Sequence, residues 1–133
     1  MAGFGKMQNI FADLPVDVSS EHVEKLLECA DFKLERIVSH GQATPRGEWY
    51  DQDHGEWVVL LKGSAGLLIE GEDEIRQLMP GDYLFLPAHL RHRVEWTHAE
   101  GETVWLALHD QAHRLSVLPP PFSKRGLGGI SVG

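Results

Sequence analysis

The stretch MPGDYLFLPAHLRHRVEW, residues 79–96, decides the fold. Met79-Pro80-Gly81-Asp82 fits a type II turn, in which proline fixes the first corner and glycine supplies a positive φ at the second. Tyr83–Leu86 is a short apolar run of strand length, stopped by Pro87. Arg91–Trp96 then alternates. Side chains alternate across a strand, so Arg91, Arg93 and Glu95 fall on one face and His92, Val94 and Trp96 on the other. Turn, strand, proline stop and strand within eighteen residues describe a barrel or sandwich corner rather than a helical unit.

Reading outward, the same punctuation recurs. Phe32, Leu34 and Ile37–Val38 make a first strand and Trp57–Lys62 a second. Ala65–Ile69 turns back through Glu70–Asp73 and Ile75 to Met79, and Thr103–His109 closes the series. No helical-solenoid period and no low-complexity block interrupts it. Before residue 32 the pattern differs. Residues 1–18 form an irregular arm with apolar clusters Ile10–Phe11 and Leu14–Val16. Ser19 or Ser20 can cap a short helix, and Val23, Leu26, Leu27 and Ala30 follow its i, i+3, i+4, i+7 stripe. The expected division is an arm and helix over 1–31, a barrel over 32–113, and a Pro/Gly-rich tail over 114–133.

Composition narrows the function classes. A chain of 133 residues has room for one core. Lys and Arg number 12 against 20 Asp and Glu, a net charge of −8, which argues against nucleic acid or an anionic membrane as partner. No apolar run approaches the ~20 residues of a membrane span. No secretory signal is evident, and Cys29 is alone, so no disulfide forms within the chain; a cytoplasmic setting is expected.

Two strands carry the candidate chemistry. His92 is the one titratable group on its inward face; by itself it reads first as a core histidine bonded to a carbonyl. Tyr50, Gln52, His54 and Glu56 share one parity, continued inward by Val58 and Leu60, so Glu56 is expected to point into the barrel. A buried carboxylate needs a cation or several donors. His54 replaces a missing imidazole only if the register shifts, His89 reads as an exposed loop residue, and the direction of His109 is open. Trp96, sharing the face of His92, is expected as a pocket wall.

These residues resemble the cupin family. Its two blocks, G-x5-H-x-H-x3-4-E-x6-G and G-x5-P-x-G-x2-H-x3-N, are matched by Glu56-x6-Gly63 and by Gly81-x5-Pro87-x4-His92. The resemblance spans roughly residues 32–110 and implies an all-β, double-stranded β-helix of jelly-roll type. Carried over by position, the family's metal ligands become Tyr50, Gln52, Glu56 and His92. Thr44, His89 and Trp96 depart from the pattern at a glycine, a second glycine and an asparagine. Phenol and amide in place of two imidazoles make a harder, oxygen-rich set. The resemblance implies a metal-assisted enzyme of isomerase, lyase or dioxygenase type on a small organic molecule. Gln52, Glu56 and His92 would hold one divalent Zn, Fe, Mn or Ni, with Tyr50 as ligand or proton donor. A metal-free alternative pairs His92 as base with Tyr50 as acid. A third reading is a non-catalytic ligand-binding or sensing module. The resemblance also implies a homodimer, paired through the segment from Phe11 to Val16.

Overall fold

The computed structural model describes residues 5–118. Eight strands follow in order: β1 His22–Glu28, β2 Phe32–Ser39, β3 Gly55–Lys62, β4 Ala65–Ile69, β5 Arg76–Leu78, β6 Tyr83–Leu86, β7 His92–Thr97 and β8 Thr103–Asp110. They form a five-stranded sheet in the order β1-β2-β8-β3-β6 and a three-stranded sheet in the order β5-β4-β7. Every paired neighbour is antiparallel. Inward residues of both sheets meet in one core of Val58, Leu60, Ala65, Leu67, Leu78, Leu86, Trp105 and Ala107. Burial of this apolar surface is the main favourable term holding the two sheets together.

The turns keep the geometry their sequences require. Asp82 N donates to Met79 O at 2.9 Å, and Gly81 has φ +97°. Gly63, the last glycine of the first block, has φ +86° between β3 and β4. His89, standing where the family pattern has glycine, takes φ +64° and donates its N–H to Gln52 O at 2.7 Å. That backbone demand explains the glycine in the pattern, since side-chain-bearing residues rarely adopt such a φ.

One expected element is different. The stretch expected as a short N-terminal helix is strand β1, paired with β2 from His22↔Val38 to Glu28↔Lys33 with an irregularity between Lys25 and Leu27. A helix of that length is marginal alone. As a strand it satisfies the open backbone edge of β2. The apolar stripe consequently does not bury one common face: Val23, Leu26 and Leu27 are 55%, 36% and 58% exposed. The preceding arm is held instead by Arg36, whose guanidinium donates to Ile10 O and Ala12 O and pairs with Glu24 at 2.7 Å. Among the described residues no helix is long and apolar enough to cross a membrane. After β8, Arg114 N and Leu115 N donate to the two carboxylate oxygens of Asp110. The rest of the Pro/Gly-rich tail, residues 119–133, lies outside the described residues.

Candidate active site

A pocket of about 200 Å³ opens at one end of the barrel between the two sheets. Strand parity supplies its walls. On β2 it is Glu35 and Ile37 that face it, on β3 Glu56 and Val58, on β7 His92 and Val94, and on β8 Trp105 and His109. Tyr50 and Gln52 enter from the segment before β3, and Glu21 from the residue just before β1. The inward direction expected for Glu56 and His92 is the one observed; they are 8% and 5% exposed.

Glu35 and His109, buried at 9% and 7% exposure, carry as much of the site's chemistry. Neither was singled out from sequence as pocket-lining, although Glu35 shares parity with Ile37 and His109 with Trp105. Both faces of β8 are apolar, so its parity alone had no anchor. Register supplies one, because His109 lies opposite Glu56.

Four side chains form a row that leads from the surface to the pocket. Asp53 Oδ1 meets His54 Nδ1 at 2.9 Å, His54 Nε2 meets His109 Nδ1 at 2.9 Å, and His109 Nε2 meets Glu35 Oε1 at 2.9 Å. The hydrogen bond from His54 holds the Asp53 carboxyl below the usual range. His54 Nδ1 and His109 Nε2 can each donate to the carboxylate beside them, and the two rings meet through their other nitrogens. His54 itself does not line the pocket; it supports His109.

Tyr50 and His92 are locked together. Tyr50 N donates to His92 O at 2.8 Å and His92 N to Tyr50 O at 3.1 Å, an isolated antiparallel bridge. Their rings stack with centroids 5.5 Å apart. His92 Nδ1 lies 2.8 Å from Leu90 O and donates to it, so in the neutral ring the lone pair sits on Nε2. Among the described residues Nε2 has no hydrogen-bond partner. Burial, then the charges of Glu21 and Glu56, push the Tyr50 phenol above its ordinary value of 10.0. Its neutral form is therefore favoured by folding. Phenolate absorbance should show one of the two tyrosines titrating above pH 10, and Tyr50→Phe should remove that transition. Any stability linked to Tyr50 is present below the ordinary phenol pKa and is lost as pH climbs past it.

The donor set does not assemble the expected metal centre. Gln52 Nε2 donates to Glu56 Oε1 at 2.8 Å, so one expected ligand occupies a lone pair of another. Tyr50 is held neutral, a poor ligand, and His109 Nε2 spends its hydrogen on Glu35. Among the described residues no group of three His, Cys, Asp or Glu stands in a metal-holding arrangement. Gln52, Glu56 and His92 do share the pocket, where Gln52 and Glu56 are hydrogen-bonded to each other.

Trp96 is not a wall of this pocket. Its partner across the sheet is Gly66, whereas Leu67 pairs with Val94, so Glu95 is an extra residue in β7. That bulge turns the next side chain over: Thr97 is buried, and Trp96 lies 36% exposed over Gly66. Trp105 from β8 serves as the aromatic wall instead. His89 is exposed on its loop, with Nδ1 3.0 Å from Asp51.

Comparison with solved structures agrees with this architecture. A Ralstonia eutropha protein, provisionally named a mannose-6-phosphate isomerase, is 50% identical with a TM-score of 0.76, over 79% of this chain and 97% of that one. A cupin superfamily protein of Desulfitobacterium hafniense is 16% identical with a TM-score of 0.60, over 73% of this chain and 83% of that one. An RmlC-like cupin with a double-stranded β-helix fold, from Methanocaldococcus jannaschii, is 16% identical with a TM-score of 0.58, over 74% and 86%. No protein-family model and no curated protein matches the chain. Blocks, strand order and the half-identical relative together make this chain a member of the cupin superfamily, with the double-stranded β-helix fold.

Proposed function

We propose that this cupin is an enzyme that moves a proton on a small organic molecule, in the manner of an isomerase or lyase, with the pocket's own side chains. One observation carries the reading. His92 Nε2 and Glu56 Oε2 belong to residues that are 5% and 8% exposed, line one pocket, and accept no hydrogen bond from the described residues. Both atoms open onto the pocket, where whatever fills it can use them.

The chemistry follows from their states. His92 Nε2 removes a hydrogen from the carbon beside a substrate carbonyl. The electrons of that C–H bond form a carbon–carbon double bond, and the carbonyl oxygen takes the phenolic hydrogen of Tyr50. Returning the proton from His92 to the neighbouring carbon, while the Tyr50 phenolate takes back a hydrogen from the hydroxyl that becomes the new carbonyl, completes an isomerisation; expelling a leaving group as Tyr50 recovers its hydrogen from the enol completes an elimination. Glu56 Oε2 accepts a hydrogen bond from a substrate hydroxyl. The name of the Ralstonia eutropha relative, an isomerase, supports the isomerase form.

The test is solvent exchange. A panel of small hydroxy-aldehydes and hydroxy-ketones is incubated with the protein in deuterium oxide, and proton NMR follows the carbon beside the carbonyl. Catalysed deuterium uptake is expected for at least one compound. Tight binding across the panel without uptake would favour the ligand-binding module.

A further inference from the structure

The walls of the pocket carry three carboxylates, Glu21, Glu35 and Glu56, and among the described residues no lysine or arginine lines it. The cations nearby are already committed. Glu35 takes both Lys33, at 3.3 Å, and His109, at 2.9 Å. Arg36 is paired with Glu24, Arg91 with Glu70 and Arg93 with Glu95. Glu56 is left with the Gln52 amide on one oxygen, and its other oxygen stands 4.0 Å from His109 Nε2. A carboxylate oxygen that faces a cavity without a hydrogen bond, on a side chain only 11% exposed, can take a donor from whatever fills that cavity. The remaining walls (Ile37, Val58, Leu67, Leu86, Val94) are apolar.

We infer that the pocket takes a small molecule without a phosphate or carboxylate: an uncharged or cationic compound with a hydroxyl or ammonium hydrogen on Glu56 and its carbon skeleton on the apolar wall. This rests on the pocket being the working site proposed above, and it separates this chain's ligand from the phosphorylated sugar in its relative's name. A phosphate dianion would sit among carboxylates with no free cation to receive it, in a partly desolvated site where like charges repel strongly.

Three matched probes decide it: D-mannose, uncharged; D-mannosamine, carrying an ammonium; and D-mannose 6-phosphate, carrying the dianion. Each is titrated against the assigned Trp105 indole N–H by NMR. Mannosamine is expected to bind most tightly, and the phosphate at least about tenfold more weakly. Glu56→Gln, which keeps size and packing, should weaken both sugars and mannosamine the more, by at least about tenfold; a thermal melt confirms that the variant is folded. A 6-phosphate that binds as well as mannosamine overturns the inference. So does the absence of any shift with mannose and mannosamine, or a Trp105 shift caused by zinc chloride alone at lower concentration than any sugar. If mannosamine binds as expected but nothing exchanges with solvent, this inference stands and the enzymatic reading falls.

Discussion

His92→Gln is expected to lower catalysed solvent exchange by about 10²–10⁴-fold, with little effect on folding. The glutamine amide can still donate to Leu90 O, as His92 Nδ1 does at 2.8 Å. What it lacks is a basic lone pair directed into the pocket. An amide does not accept a proton at neutral pH, so the loss should appear in turnover and leave ligand affinity within a few-fold. The melting temperature should stay within a few degrees of wild type, because volume and the carbonyl contact are largely kept. Exchange rates equal to wild type would show that the proton goes elsewhere, and His109, the other buried imidazole of the pocket, would then be the group to replace.

The largest effect on stability is expected at Gly63. An added Cβ there would lie 2.6 Å from Glu102 O and 2.9 Å from Thr103 Cα, both backbone atoms of the adjoining turn and strand. Its φ of +86° is also unfavourable for any residue with a side chain. Backbone strain and overpacking together put Gly63→Ala at about 2–5 kcal/mol of lost stability. Gly71→Ala is the matched control, since φ is +93° there but nothing lies within 4 Å of the added carbon. It should cost only the conformational part, about 1–2 kcal/mol. Urea melts of the two variants separate the contributions. Equal losses would mean that the β3–β4 turn moves away from Glu102 at no cost.

Much of the barrel is legible in the sequence because its strands are short, their faces alternate, and their turns need particular residues. Gly81, Gly63 and Pro87 mark places where the backbone tolerates little else, and Glu56 and His92 follow from parity on strands with a clear apolar side. Three features were not legible, each for a physical reason. The Val23–Ala30 stripe satisfies a helical period, but the open edge of β2 offers hydrogen bonds that a solvent-facing helix cannot, so pairing overrides the pattern. Trp96 changes face because one extra residue, Glu95, enters β7, and a bulge is a property of the strand pair rather than of either strand. The row Asp53–His54–His109–Glu35 joins residues up to 74 positions apart, a registration that only the assembled sheet provides.

The account turns on whether the pocket's own imidazole, phenol and carboxylate are sufficient for chemistry. The direct measurement is deuterium uptake by a turned-over carbonyl compound using protein stripped with chelator and shown metal-free by elemental analysis. Undiminished uptake by the stripped protein is the predicted result. Loss of uptake on stripping, restored by one equivalent of a divalent ion, would contradict it and return Gln52, Glu56 and His92 to the role of ligands.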